Sequence, residues 1–242
     1  MKGLLIALQF LTRLPGPRMA VSNEEFAGSI RWFPAVGLTV GLCVAGATWA
    51  GALVDPWVAA MAGLAVWVGV TGALHLDGLG DVADALGAAH KDRERMLAVL
   101  ADPHVGSFAI VAICLQLLAK LVLLHRIVET GVTEAFPPLL LIPFAARMGP
   151  LVWTRALPPL HDGLGARFRD AVGPGTLAVW TIALIASAWA VPALLTVIAL
   201  IVGHIMWIRL SLGGISGDSH GAGIEIVETG LLLAIVIARG AG

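Results

Sequence analysis

The sequence predicts an all-α fold, a polytopic integral membrane helix bundle with about seven transmembrane spans. Hydrophobic residues make up 58% of the chain and charged residues only 13%, and the mean hydropathy is +0.91. A soluble domain is about half apolar and a quarter charged. The net charge of −1 gives no reason to expect nucleic acid as a partner. No linker or internal repeat divides the chain, so residues 1–242 are expected to form a single membrane-embedded domain.

Seven apolar stretches approach the roughly 20 residues that a bilayer core requires. They are Phe33–Val54, Trp57–Leu76, Ser107–Leu124, Phe136–Trp153, Thr176–Ala190, Pro192–Ile208 and Val227–Ala238. Asp55–Pro56 and Val191–Pro192 predict tight turns between antiparallel neighbours. The shorter segment Leu4–Leu11 predicts an interfacial or re-entrant helix.

Basic residues gather before the first stretch and in alternate loops. They are Lys2, Arg13, Arg18, Arg31, Lys91, Arg93, Arg95, Arg155, Arg167 and Arg169. Because cytoplasmic loops carry an excess of Lys and Arg, these segments are expected to face the cytoplasm from a cell (inner) membrane. The acidic motifs described next fall on the same side.

Three aspartates follow directly on the second apolar stretch, within the segment His75–Asp84. Asp77, Asp81 and Asp84 are spaced i, i+4 and i+7, so a helix would present all three on one narrow face. Like charges on one stripe repel, which predicts a bound cation. Carboxylate oxygens at this density favour Mg²⁺ or Mn²⁺. The pattern indicates phosphate chemistry at a membrane surface.

A glycine-rich segment, Gly213–Glu228, precedes and enters the last stretch. Its glycines let backbone N–H groups approach phosphate oxygens closely, and a serine adds a hydroxyl. The candidate substrate-binding residues are Gly213, Gly214, Ser216, Gly217 and Gly221. Asp218 and Glu225 are seven residues apart, with Glu228 three further on. The alternative interpretation is a flexible turn with solvated acids.

Three further residues are candidates for substrate binding. Asp102 is either a fourth acidic group or the N-cap of the third span. His75 begins the acidic motif, where a histidine is either a hydrogen-bonded structural group or a ligand. Arg147 lies inside an apolar stretch and has a guanidinium that matches phosphate geometry. Lys120, also within a stretch, either faces the bundle interior or snorkels to the interface.

Together these motifs resemble the cobalamin synthase family almost end to end. The matching segments are Phe10–Pro15, Trp32–Gly37, His75–Asp84, Asp102–Ser107, Gly163–Leu164–Gly165 with Phe168, and Gly213–Glu228. The first and last acidic motifs are the most specific. Departures are mild: Ala85 replaces a usual glycine, Pro103 a common serine, and Ser216 a common threonine, with the hydroxyl kept.

The resemblance implies that adenosylcobinamide-GDP is joined to α-ribazole or its 5′-phosphate, with release of GMP. It implies Mg²⁺ as the metal, with Asp77, Asp81, Asp84 and Asp218 as the predicted ligands. Asp81, Asp84 and Asp218 are the predicted catalytic residues, and Asp84 is the first choice for the general base. The lipid bilayer and a second copy of the chain are the other expected partners.

Two other classes of protein fit part of the pattern. A CDP-alcohol phosphotransferase-like phospholipid synthase also places acids at a cytoplasmic helix end, but Val82–Ala83 stand where its motif has Ala–Arg. A membrane transporter would have intramembrane acids and broken helices. It would place charge near the middle of the membrane, whereas these acids gather at one face.

Overall fold

The computed structural model describes residues 2–88, 92–160 and 164–240, and these fold into α-helices joined by short connections. The helices are α1 (Lys2–Leu11), α2 (Asn23–Gly28), α3 (Phe33–Gly51), α4 (Pro56–Thr71), α5 (Leu74–Ala88), α6 (Arg93–Leu100), α7 (Ser107–Glu129), α8 (Val132–Ala146), α9 (Met148–Ala156), α10 (Leu164–Ala171), α11 (Pro174–Ala188), α12 (Val197–Ser211) and α13 (Gly217–Gly240). Short 3₁₀ helices cover Ser29–Trp32 and Pro192–Thr196. The prediction of an all-α bundle is confirmed. Lys91 and Gly163 lie outside the described residues.

The number of membrane crossings follows from helix length and composition. Within the described ranges, five stretches are long and apolar enough to cross a membrane: Asn23–Gly51, Ser107–Glu129, Val132–Ala156, Pro192–Ser211 and Gly217–Gly240. The sharply bent pair α4 and α5 makes six if it counts as one span. Helix α11 is apolar but only 15 residues long.

A pairing of two loops bears on how α11 is counted. The Leu160 N–H donates to the Ile215 carbonyl (2.9 Å), and the Ile215 N–H donates to the Pro158 carbonyl (2.8 Å). Residues 158–160 and Ile215 therefore lie on the same side of the membrane. Because the chain must return to that side, α11 and α12 either both cross the membrane or both do not. Since Pro192–Ser211 is long enough to cross, the pairing favours α11 as a crossing too. The five long stretches, the bent pair α4 and α5, and α11 together make seven, which agrees with the predicted number of about seven spans.

The predicted span Trp57–Leu76 was wrong at its carboxyl end, because α4 stops at Thr71. Gly72 and Ala73 both adopt left-handed backbone angles, with φ of 61° and 59°. The chain bends there by 83° and continues as α5. The Arg13 N–H donates to the Val70 carbonyl (2.7 Å), which ties the chain after α1 to this corner. The acids therefore lie on a separate, crosswise helix and not on the last turn of a span.

Helix α13 runs through the middle of the bundle and packs against α5, α7, α8, α9 and α12. Its first half is buried almost throughout, including two glutamates, Glu225 and Glu228. The outward face of α7 is apolar and exposed, as expected of a surface that meets lipid. The polar groups are thus concentrated where α13 meets α5 and α7.

Candidate functional site

The acidic stripe lies on α5, and its three carboxylates differ in exposure. Asp77 is exposed, Asp81 is partly buried and Asp84 is buried. The i, i+4, i+7 spacing therefore leads along one helix face from the surface into the bundle. The helix places one carboxylate in solvent and one against its neighbours.

Asp84 holds the start of α7. The Gly106 N–H donates to Asp84 Oδ2 (2.6 Å), and the Ala109 N–H donates to Asp84 Oδ1 (3.0 Å). A Cβ at position 106 would lie 2.5 Å from Asp84 Oδ1, so glycine permits this approach. The carboxylate thus caps α7 from another helix, with its negative charge at the positive end of the helix dipole. Sequence reasoning missed this contact, because a cap supplied from 22 residues away has no local signature.

The start of α13 packs directly on α5. A Cβ at Gly78 would lie 2.7 Å from the Asp218 carbonyl oxygen, and a Cβ at Gly221 would lie 3.2 Å from His75 Cα. Glycine at both positions lets the two backbones touch. The charges of Asp77, Asp84 and Asp218 all act on the carboxylate of Asp81. The structure therefore brings the two acidic motifs, distant in sequence, to one place.

Most of the glycines in the 213–223 segment serve the turn and the packing. Gly213 has a φ of 76°, and a Cβ there would lie 2.8 Å from Arg93 Nη1, which donates to the Leu212 carbonyl (3.0 Å). A Cβ at Gly214 would lie 2.9 Å from the Pro158 carbonyl oxygen. Gly217 differs, because it is exposed with open space around its Cα. Among these glycines, it leaves the most room for a ligand.

Ser216 is committed to the start of α13. The Ser219 N–H donates to Ser216 Oγ (3.1 Å), and the Ser216 N–H donates to Ser219 Oγ (2.7 Å). These reciprocal bonds satisfy donors at the helix start in the manner of a capping box. Ser216 is buried, so its hydroxyl stabilises the turn that presents Asp218.

Arg147 belongs to a buried ion network, which consists of Lys120, Arg147, Glu225 and Glu228. Arg147 Nη1 donates to Glu228 Oε1 (2.8 Å) and to the Pro143 carbonyl (3.0 Å). Lys120 Nζ contacts Glu225 Oε2 (2.7 Å) and Glu228 Oε2 (2.6 Å). The four charges sum to zero, as burial in an apolar bundle requires. The guanidinium of Arg147 is fully buried and ion-paired with Glu228. Its predicted contact with a phosphate of the substrate stays a prediction.

His75 stands between the ion network and the acids. Its Nδ1 lies 3.5 Å from Arg147 Nη2, and its Nε2 is buried with no hydrogen-bond partner among the described residues. Because a guanidinium can only donate, we assign Nδ1 as the acceptor, which puts the proton of the neutral ring on Nε2.

Asp102 forms a local turn in the loop before α7. Its Oδ1 accepts from the His104 N–H (3.0 Å) and contacts the His104 ring Nδ1 (2.6 Å). These hydrogen bonds to His104 hold the Asp102 pKa below its usual range. The proposed N-cap role falls instead to Asp84, and Asp102 is exposed at the surface. Its predicted part in substrate binding stays a prediction.

The described part of the chain does not present a preformed metal cage. Among residues 2–88, 92–160 and 164–240, no group of three or more His, Cys, Asp or Glu side chains is arranged to hold a metal ion. The carboxylates of α5 and Asp218 still supply the hard oxygen donors that Mg²⁺ prefers. A magnesium site here needs oxygens from a substrate or from water to complete it.

Comparison with known proteins gives the family. Residues 3–236 match the family described as Cobalamin-5-phosphate synthase. A protein of Novosphingobium aromaticivorans named adenosylcobinamide-GDP ribazoletransferase is 64% identical over 98% of this chain and 97% of its own length. Proteins of the same name are 47% identical in Thiobacillus denitrificans (99% and 98% covered) and 36% identical in Brevibacillus brevis (98% and 98%). No solved structure matches. The chain belongs to this family.

Proposed function

Given membership of the cobalamin-5-phosphate synthase family, we propose that this chain is an adenosylcobinamide-GDP ribazoletransferase. It joins adenosylcobinamide-GDP to α-ribazole or α-ribazole 5′-phosphate and releases GMP. A ribose hydroxyl of the acceptor attacks the phosphorus that bears cobinamide, forming one P–O bond while the P–O bond to GMP breaks. The names of relatives that cover nearly the whole chain support this. The gathering of Asp77, Asp84 and Asp218 around Asp81 also supports it.

Mg²⁺ is the proposed metal, and the residues fit it by the chemistry of their donors. Asp77 and Asp81 on α5, and Asp218 at the start of α13, would hold it. Mg²⁺ usually takes one or two carboxylates together with substrate phosphates, so an incomplete protein cage suits it. When bound, the ion would offset charge on the diphosphate and on the departing GMP.

Asp81 is the better candidate for the general base. It is partly exposed, and its partial burial, together with the charges of three other acids, favours its taking up a proton. Asp84, the first choice from sequence, uses both oxygens to accept main-chain N–H groups. We therefore propose a positioning role for Asp84, which fixes α7 against α5, and its roles as base and metal ligand stay predictions. Asp81 would take the proton from an attacking hydroxyl within hydrogen-bond reach, on the carboxylate oxygen that does not hold the metal.

The diphosphate is proposed to lie over the start of α13. Gly217 is exposed there, and the first N–H groups of a helix attract anions. Gly213, Gly214, Ser216 and Gly221 shape this site by holding the loop and the helix. We therefore propose that these four residues support substrate binding by shaping the site, without contacting the diphosphate themselves.

The observation that carries the proposal is the meeting of the α5 and α13 acids. The test supplies purified protein in lipid vesicles with adenosylcobinamide-GDP, α-ribazole and Mg²⁺, and measures GMP. We expect GMP release that stops when EDTA removes the metal. CMP release from CDP-diacylglycerol, with no GMP, would instead identify a phospholipid synthase. If neither GMP nor CMP is released, the proposal is overturned.

The site is proposed to face the cytoplasm from the inner membrane. The exposed Arg93 and Arg155 lie on the side where α5 and α13 meet, and Asp55 caps α4 at the other end. Single cysteines test this in a protein lacking Cys43 and Cys114. A membrane-impermeant reagent should modify position 55 in intact cells and position 167 only after lysis. Labelling of position 167 from outside would invert the orientation.

A further inference from the structure

A cavity of about 230 Å³ opens beside the acids. Its walls come from α1, α3, α5, α9, α10 and α13 and from the 3₁₀ turn that contains Ile30. Pockets that take a whole drug-sized ligand measure about 300–1,000 Å³. This cavity therefore suits one part of a larger molecule, and it is far too small for a corrin ring.

Aromatic rings line one wall. Phe10, Phe33 and Phe168 all border the cavity. Phe33 and Phe168 meet edge to face with centroids 5.8 Å apart, and Phe10 stacks on Phe33 at 6.0 Å. Leu11, Ile30 and Ile224 add aliphatic surface. Such walls favour a flat apolar ring, which packs against phenyl faces and edges.

Polar groups are few and border the same cavity. Asp77, Asp218, His75 and His220 border it, and the two histidines are only 3% and 8% exposed. His75 Nε2 has no hydrogen-bond partner among the described residues. A buried N–H without a partner is costly, so its presence beside a cavity indicates that a bound molecule supplies an acceptor.

We infer that this cavity binds the bicyclic aromatic base of the acceptor nucleoside; the inference rests on the proposed function. A benzimidazole base has an apolar two-ring body and one unsubstituted ring nitrogen, which would accept from His75 Nε2–H. The attached ribose would then extend toward Asp77 and Asp218, where its hydroxyl meets the diphosphate. Guanine carries donors and acceptors on both rings, and those turned toward the aromatic and aliphatic wall would find no partner there. The cavity thus selects the acceptor and not the GDP moiety.

Phe168→Leu tests the inference, with Phe136→Leu as the matched control because Phe136 lies away from this cavity. Steady-state GMP release is measured with each substrate varied in turn. Loss of the aromatic contact should raise the KM for α-ribazole about three- to tenfold and leave the KM for adenosylcobinamide-GDP unchanged. The control should change neither constant. An unchanged α-ribazole KM, or a change confined to adenosylcobinamide-GDP, would overturn the assignment.

Photolabelling of the unaltered protein gives a second test that needs neither a variant nor turnover. An azido-benzimidazole ribonucleoside, added without donor or metal, should label residues that line the cavity, such as Phe10, Phe33 or Phe168, and excess α-ribazole should prevent it. Labelling confined to segments that do not line the cavity would overturn the inference even if the enzyme is active. A protein that labels as expected but releases no GMP would instead contradict the proposed function.

Discussion

The acids of α5 and the buried ion network both lie beside α13, yet their charges are balanced differently. In the network, Glu225 and Glu228 contact Lys120, and Glu228 also contacts Arg147, all of them buried. Asp77 and Asp81 form no ion pair with a basic side chain in the described ranges. Balanced charges stabilise the bundle, whereas like charges held together at a surface await a ligand of opposite sign. The packing of α5 on α13 gathers the acids, and the packing of α13 on α7 and α8 forms the network.

Neutralising Asp81 should have the largest effect on activity. If Asp81 is the general base, Asp81→Asn should lower GMP release by about 10²- to 10⁴-fold. The thermal unfolding temperature in detergent should stay equal or rise, because the neutral side chain removes a partly buried charge and its repulsion from neighbouring acids. Near-normal turnover would show that Asp81 takes no part in the reaction. Unfolding of the variant would show that Asp81 is needed for the fold and is not the general base.

Removing Glu228 should have the largest effect on stability. Glu228→Ala leaves Arg147 buried without its carboxylate, and Lys120 loses one of two partners. We expect the free energy of unfolding to fall by about 3–5 kcal/mol, measured by denaturation in mixed micelles. Glu129→Ala is the control. Its contact with Arg126 is at the surface, so its loss should cost about 0–1 kcal/mol. Equal effects would mean that the network is not stabilising.

Separating the two helices should affect both regions at once. In Gly78→Ala, the new methyl group would meet the Asp218 backbone, so α13 must move. We expect a loss of about 1–3 kcal/mol of stability, together with reduced turnover. Gly69→Ala is the control, since a Cβ there meets open space and alanine favours a helix. Normal turnover in Gly78→Ala would show that the close contact between Gly78 and Asp218 is not needed to position the acids of the site.

Asp84→Asn should give the smallest change and separates positioning from metal binding. Asparagine keeps one acceptor oxygen, so one of the two main-chain N–H groups loses its partner. We expect a cost of about 0.5–2 kcal/mol in stability and a modest loss of turnover. The Mg²⁺ concentration for half-maximal activity should not change. A strong rise in that concentration would restore Asp84 as a metal ligand.

The sequence by itself determined the helical class, the approximate number of spans and the acidic stripe. These are local properties, because hydropathy over 20 residues and spacing along one helix are set by neighbouring positions. It also carried the motifs that identify the family.

Only the tertiary structure decided which charges are balanced and where the acids point. The partners of Asp84 and Arg147 lie 22 and 81 residues away, beyond any local pattern. The bend at Gly72 and Ala73 was missed in the same way, because hydropathy continues through it while packing sets the left-handed backbone. Composition and spacing place side chains on a helix, but contacts between distant helices decide which of them are buried, balanced or left to bind a ligand.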